Sequence, residues 1–206
     1  MITHTKETQE SLTPDSVLDI LMKGNERFVN NIKTHRNLLQ QVNETSSGQF
    51  PFAAILSCID SRTSAELIFD LGLGDIFSIR IAGNILNDDI LGSMEFACEY
   101  AGSKLVLVLG HTNCGAVIGA CDNLKLGHLT SLIDKIKPSI EIETQTKSER
   151  NGNNVQFVEN VTVNNVNLTV EGIRKRSSIL SKLEKEKKIK IIGAMYNVET
   201  GIVRYI

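Results

Sequence analysis

The chain has 206 residues, 41% of them hydrophobic, which suffices for one substantial core and makes a single domain the first expectation. Its 22 basic and 24 acidic side chains give a formal net charge of -2, so charge favours neither nucleic acid nor an anionic membrane as a partner. The longest apolar run, 105–109, is far shorter than the roughly 20 residues of a membrane-spanning helix, and the first thirty residues lack the apolar centre of a signal peptide. We therefore expect a cytoplasmic protein.

The N-terminal quarter of the chain predicts a helical arm. Residues 1–10 are polar and are expected to be loose. Thr13, Pro14 and Asp15 then supply an N-cap, a proline at the first helical position and an acid in the first turn, so we expect a helix over 14–29 with one buried apolar stripe. Residues 30–49 are polar and weakly periodic, and are expected to wrap a partner rather than join the core. We accordingly divide the single domain 1–206 into an arm, 1–49, and a core, 50–206.

Short apolar runs alternate with amphipathic segments from residue 52 onward. The predicted strands are 53–57, 76–81, 104–110 and 189–196, with a turn and a short edge strand in 201–206. The predicted helices are 64–71, 89–100, 116–121, 129–144 and 171–187, while 151–170 is ambiguous. This alternation predicts an α/β fold with a largely parallel central sheet flanked by helices.

Reactive side chains follow two of the predicted strands directly. Residues 58–62 (Cys-Ile-Asp-Ser-Arg) follow the strand 53–57, and residues 111–115 (His-Thr-Asn-Cys-Gly) follow the strand 104–110. Because open α/β sheets build their sites at the carboxyl ends of parallel strands, we expect Cys58, His111 and Cys114 to meet. Two thiolates and an imidazole suit zinc, and three protein ligands leave a fourth position open, as in catalytic sites. Cys114 would open the next helix, whose free N–H groups, that of Gly115 included, would face an anion beside the metal.

Each signal also has a simpler explanation. A cysteine at the end of a buried strand is often a small core residue, and a lone His-x-x-Cys is common by chance. Asp60 and Arg62 could form a surface ion pair of little energetic value. The joint occurrence of C-x-D-x-R and H-x-x-C after two strands favours the metal site. The other cysteines, Cys98 and Cys121, lie on predicted helices without metal spacing and are expected to be core thiols.

The pattern C-x-D-S-R followed by G-H-x-x-C-G resembles the signature of the β-carbonic anhydrases. Residues 52–121 are similar to that family almost throughout, and residues 193–196 (Gly-Ala-Met-Tyr) fit many bacterial members. The resemblance implies that Cys58, His111 and Cys114 hold one zinc ion per chain. It further implies that Asp60 and Arg62 form a pair beside the metal, with Asp60 able to turn and occupy the fourth zinc position in a resting form.

The resemblance also implies where substrate would be contacted. Gln49 stands where members similar to the plant enzymes have a substrate-contacting glutamine, and the Gly115 N–H would bind a bicarbonate oxygen. Phe77, Ala82 and Phe96 fall at positions of apolar or aromatic pocket walls. The sequence departs from the family at the last two, where a bulkier residue and a tyrosine would be expected.

The implied activity is the reversible hydration of carbon dioxide to bicarbonate and a proton by zinc-bound hydroxide. The family also implies self-association as a dimer or tetramer, with the helix 14–29 crossing onto another chain and Gln49 and Phe77 shared across the interface. Two alternatives remain: a hydrolase acting on carbonyl sulfide or carbon disulfide at the same site, and a structural zinc protein with Asp60 as permanent fourth ligand. The second is disfavoured because a structural site has no need of Arg62.

Overall fold

A five-stranded sheet organises residues 3–206, the part of the chain that the computed structural model describes. The strands are β1 (Ala53–Ser57), β2 (Ile76–Arg80), β3 (Leu105–His111), β4 (Lys190–Tyr196) and β5 (Val203–Tyr205). Their order in the sheet is β2-β1-β3-β4-β5; the first four are parallel, and β5 is antiparallel to β4. The largely parallel α/β fold and the short late edge strand are therefore confirmed.

Helices cover both faces of this sheet. They are α1 (Lys6–Ser11), α2 (Pro14–Val29), α3 (Leu38–Thr45), α4 (Ala65–Ile68), α5 (Asp88–Glu95), α6 (Gly115–Cys121), α7 (Gly127–Ile133), α8 (Lys137–Glu141), α9 (Val155–Arg176) and α10 (Ser178–Lys185). A 3-10 turn at Ala82–Asn84 follows β2, and a π-helical turn at Phe96–Tyr100 continues α5. One face packs against α2 and α4, and the other packs against α5, α9 and α10. No helix within residues 3–206 combines the length and apolar character needed to cross a bilayer.

The first residues form a helix rather than the loose segment expected over 1–10, so far as the described residues reach. Thr5 caps α1 through a capping box with Thr8. Gln9, 4% exposed, anchors the helix because its Nε2 donates to the carbonyls of Pro51 (2.7 Å) and Ala101 (2.9 Å). One buried amide thus ties α1 to the residues just before β1.

Helix α2 begins and ends as predicted, but it packs on its own chain. Val17 and Leu21 are fully buried in the cluster that includes Phe52 of the same chain. Gly24 allows close contact, since a Cβ there would lie 1.9 Å from the Phe69 carbonyl oxygen. The stripe that contains Val17 and Leu21 is therefore covered by the chain's own core, and contact of this helix with another chain stays a prediction.

The segment 30–49 is likewise held on its own chain. Asp70 is its anchor: the carboxylate accepts from Arg27 Nε (2.6 Å), Arg36 (2.6 Å) and the Thr34 hydroxyl (2.8 Å). Burial alone would raise the pKa of this carboxyl, but the hydrogen bonds from Arg27, Arg36 and Thr34 outweigh it and lower the pKa to about 2. The buried Gln41 of α3 adds a bond from Leu73 N–H, at 3.2 Å.

The ambiguous stretch 151–170 belongs mostly to α9, a 22-residue helix capped by Asn154. Valine and asparagine have modest helix propensity, so the sequence pattern is weak. Burial of residues such as Phe157, Val161 and Val166 supplies the stability instead. The predicted helix 171–187 is in fact divided at Ser177, whose side chain caps α10, and 129–144 is divided between α7 and α8.

Candidate metal centre

Three soft or borderline ligands converge at one end of the sheet. Cys58 follows β1, His111 is the last residue of β3, and Cys114 is the N-cap residue of α6. Strands β1 and β3 are paired neighbours, with Ser57 opposite Leu109, so the residues that follow them meet at the same edge. The sulfur and nitrogen atoms all lie within 4.8 Å of one another, and the three residues are buried.

The donor atoms fit a tetrahedral zinc ion. The two Sγ atoms are 4.0 Å apart, close to the spacing of about 3.8 Å that two Zn–S bonds of about 2.3 Å imply. His111 Nδ1 donates to the Thr112 carbonyl (2.9 Å), which leaves the lone pair on Nε2. Within residues 3–206 this buried Nε2 has no hydrogen-bond partner, and an orphaned ring nitrogen beside two sulfurs is what a metal would satisfy.

The two thiols share charge. The hydrogen bond from the Cys114 thiol, with a further bond from the Gly83 N–H, holds the pKa of Cys58 at about 4 although burial opposes this. The pKa of Cys114 is raised by its hydrogen bond to Cys58 and by burial. One negative charge is therefore stable without a cation, and a dication would compensate the second thiolate. The Cys58, His111 and Cys114 cluster could bind a metal ion.

Asp60 is held away from these three residues by Arg62. Its Oδ1 accepts from Arg62 Nε (2.9 Å) and from the Arg62 backbone N–H (2.9 Å), and its Oδ2 accepts from the guanidinium at 2.8 Å. These bonds hold the pKa of the Asp60 carboxyl well below its usual range against the opposing effect of burial. The Asp60–Arg62 pair is thus formed as expected, and Asp60 is not among the clustered ligand groups in this conformation.

Gly115 follows Cys114 in the chain, and Ala82 precedes a residue that bonds to Cys58. Gly115 is the first residue of α6, and a Cβ added to it would meet nothing within 4 Å, so space is open beside Cys114. Ala82 begins the 3-10 turn whose next residue, Gly83, donates its N–H to Cys58 Sγ at 3.3 Å.

Gln49, Phe77 and Phe96 lie elsewhere. They line a separate cavity of about 540 Å³ whose walls include Tyr100 and Lys6 but none of the three clustered ligands. Phe77 and Phe96 meet edge to face at 5.9 Å, and Phe96 stacks on Tyr100 at 5.1 Å. Phe96 and Tyr100 are 51% and 82% exposed. Within the described part of one chain, the predicted substrate contacts are therefore divided between two places.

Sequence reasoning missed the groups that brace the Cys58 loop. Arg80 donates to the carbonyls of Cys58 (3.1 Å) and Asp60 (2.7 Å), and the Thr63 hydroxyl donates to the same two carbonyls. The signal for Arg80 was available in the run Arg-Ile-Ala-Gly-Asn at 80–84, which was read only as a family likeness.

A family model described as carbonic anhydrase matches residues 53–203. Carbonic anhydrase 2 of Mycobacterium tuberculosis is 34% identical over 196 residues, covering 91% of this chain and 90% of the relative. Among solved structures, the β-carbonic anhydrase CafA of Aspergillus fumigatus superposes with a TM-score of 0.73 at 24% identity, covering 93% of this chain and 89% of that one. A structure of the tetrameric β-carbonic anhydrases of Sordaria macrospora superposes with a TM-score of 0.67 at 17% identity, covering 93% and 97%.

These likenesses define the class: the chain has the β-carbonic anhydrase fold and presents a potential zinc site of two cysteines and a histidine. The chain belongs to the carbonic anhydrase family, in its β class, and is thereby an enzyme. The family resemblance drawn from the residues around Cys58 and Cys114 is confirmed.

Proposed function

We propose that this protein catalyses the reversible hydration of carbon dioxide to bicarbonate and a proton, with one zinc ion held by Cys58, His111 and Cys114. The observation that supports it most is the buried Nε2 of His111, which has no hydrogen-bond partner within residues 3–206 and lies in a cluster with two sulfurs 4.0 Å apart. Three ligands leave one position open, and open space lies at Gly115, the residue that follows Cys114. When bound, zinc would supply the Lewis acidity that lets a water molecule lose its proton near neutral pH.

The chain's own residues would position the reacting molecules. Asp60 is ionised and can accept a hydrogen bond from the attacking water, which orients the oxygen lone pair towards the carbon. Arg62 keeps that carboxylate turned away from the ligand cluster by its two-pronged bond. The N–H groups at the start of α6, beginning at Gly115, can stabilise the negative charge that develops on the carbon dioxide oxygens.

The rest of the substrate pocket requires a second chain in this proposal. Gln49, Phe77 and Phe96 line a cavity apart from the ligands, and β2, which carries Phe77, is an edge strand among the described residues. Exposed aromatic side chains at such an edge favour association. We propose a dimer or a higher even oligomer in which this surface of one copy reaches the metal centre of the next, with Ala82 completing the wall. The tetrameric relatives support such an assembly.

We also propose that residues 1–206 form one domain in which the arm 1–49 packs on the catalytic core 50–206. Gln9 and the Asp70 network are the contacts that support this. The cytoplasm is the proposed compartment, because its reducing conditions keep the two ligand cysteines as thiols.

The test combines elemental analysis with stopped-flow carbon dioxide hydration across pH. We expect about one zinc per chain, measurable hydration that rises with pH, and loss of both zinc and activity in His111→Ala. His128→Ala, at an exposed histidine, is the matched control and should retain both. Hydration absent at every pH in the zinc-loaded protein would refute the proposal and favour a structural zinc site. Turnover of carbonyl sulfide or carbon disulfide without carbon dioxide hydration would favour the hydrolase.

A further inference from the structure

A buried glycine turn lies between the Cys58 sulfur and helix α9. The Gly83 N–H donates to Cys58 Sγ at 3.3 Å, while the Gly83 carbonyl accepts from Asn165 Nδ2 at 2.8 Å. Gly83 has a φ of +64°, and a Cβ there would lie 2.7 Å from Ile136 Cδ1 and 3.2 Å from Ala116 Cβ. The turn is therefore tightly packed, and its orientation decides where the N–H points.

Helix α9 holds this turn by two consecutive carbonyls. Asn165 is 3% exposed, and Thr169, one helical turn further on and 5% exposed, donates to the Asn84 carbonyl at 3.5 Å. The Ser139 hydroxyl lies 3.5 Å from Asn165 Oδ1, which leaves the amide nitrogen directed at Gly83. Two side chains of α9 thus hold the carbonyls of two consecutive peptides, which follow directly after the N–H that donates to Cys58.

A role in stabilising helix α9 alone does not explain why residue 165 is an asparagine. Asparagine is a weaker helix former than leucine or alanine, and this one lies in the interior of a long helix beside the fully buried Val166. If the Gly83 carbonyl needed no hydrogen-bond partner, a buried apolar residue at position 165 would serve equally well, because no hydrogen bond would be lost. The same helix offers a comparison: Asn164 Nδ2 donates to the Ser139 carbonyl at 3.2 Å, and no bond from its side chain to the Cys58 loop is found among the described residues.

We propose that Asn165 is a positioning residue for the metal ligand Cys58, acting through Gly83; this rests on the proposed zinc centre. An N–H bond to a thiolate ligand fixes the direction of the sulfur lone pair that faces the metal and stabilises the charged form. Losing the Asn165 amide frees the peptide between Gly83 and Asn84, and the resulting change in the Gly83 backbone torsions weakens the bond from its N–H to sulfur. Removal of such supporting groups typically lowers metal affinity by roughly 10- to 100-fold.

The test compares Asn165→Leu, which keeps the branched side-chain shape but loses the donor, with Asn164→Leu as the matched control. The zinc dissociation constant is measured by competition with a chromophoric chelator, and the thiolate-to-cobalt absorption band is recorded after cobalt substitution. We expect Asn165→Leu to weaken zinc binding by roughly tenfold or more and to shift the cobalt band, and Asn164→Leu to stay within about twofold of the parent with an unchanged band. Asn165→Ala should behave like Asn165→Leu and decides the question if the leucine variant does not fold.

Equal zinc affinity and identical cobalt bands in the parent and the folded Asn165 variants would overturn the assignment, whatever happens to their thermal stability. A failure of the zinc centre itself would look different. In that case the parent would hold no zinc, or Cys58→Ser would bind it as tightly as the parent does.

Discussion

Replacing Arg62 by alanine should leave the proposed zinc centre loaded but remove most of its activity. The three clustered ligands do not contact the Arg62 side chain in any hydrogen bond found here, so zinc should stay stoichiometric. Asp60, however, would lose both guanidinium bonds and keep only the bond from the backbone N–H of residue 62, at 2.9 Å. A carboxylate released beside a cation with an open position should bind it directly and block the water.

The size of the effect can be worked from the pair's geometry. Two charge-assisted hydrogen bonds are worth about 3 kcal/mol together at the lower end of their range. The Arg62 side chain is 49% exposed, so solvent screening reduces this to about half. About 1.5 kcal/mol corresponds to roughly a tenfold shift towards the released carboxylate, and activity should fall at least that far.

Stopped-flow hydration across pH is the assay, run beside zinc analysis. The parent should lose activity only as pH falls, whereas Arg62→Ala should be impaired at every pH, and Arg62→Lys should recover only part because a point charge cannot make the two-pronged bond. Arg174→Ala is the control, since Arg174 makes a similar two-pronged pair with Glu184 on another face. Parental rates in Arg62→Ala at alkaline pH would show that the pair has no gating role.

Three further perturbations separate the ligands, the arm and the aromatic surface. Cys58→Ser should lose both bound zinc and hydration activity. Cys98→Ser, at a buried thiol whose pKa burial raises to about 12, should lose neither. Zinc retained in Cys58→Ser would remove Cys58 from the ligand set. Asp70→Asn should cost about 3 kcal/mol of unfolding free energy at pH 7. Because the pKa of Asp70 is lowered to about 2, its contribution to the free energy of unfolding is complete above about pH 4 and is lost as pH falls towards 2. The unfolding free energies of the parent and the variant, measured by urea titration, should therefore converge over that range. A difference that stays constant would contradict the argument. Phe96→Asp should reduce the assembled mass in light scattering, whereas Leu126→Asp, at a 64% exposed leucine, should not; equal masses would place the interface elsewhere.

The sequence predicted those elements whose pattern is local. Strand β1 was located to the residue, because six consecutive apolar or small side chains lie between Pro51 and the reactive loop, and the last five of them form the strand. The clustering of Cys58, His111 and Cys114 could be predicted because it follows from residue type and from position after neighbouring strands. Helix α9 could not, since its valines and asparagines do not favour a helix locally and are stabilised by burial against the sheet.

Contacts distant in the chain escaped prediction for the same reason. Asn165 reaches Gly83 across 82 positions, and no pattern around either residue announces the bond. Arg80 lies nearer to the loop it braces, but a charged residue at a strand end reads equally well as solvent-exposed. An amphipathic pattern in 14–29 shows that one face is covered without showing which chain covers it; the structure shows that the stripe with Val17 and Leu21 packs on its own core.

The predicted site residues lie in two separate places within one chain, so the activity should depend on the assembly of subunits. Phe96 lines a cavity that includes none of the metal-binding candidates, so Phe96→Asp should leave zinc content unchanged even where it separates the subunits. If the pocket is completed by a second chain, the separated variant should hold zinc yet hydrate carbon dioxide poorly, and raising the protein concentration should restore activity as subunits reassociate. A monomer that holds zinc and works at the parental rate would show that one chain is sufficient, and Gln49 and Phe77 would then have no part in substrate binding.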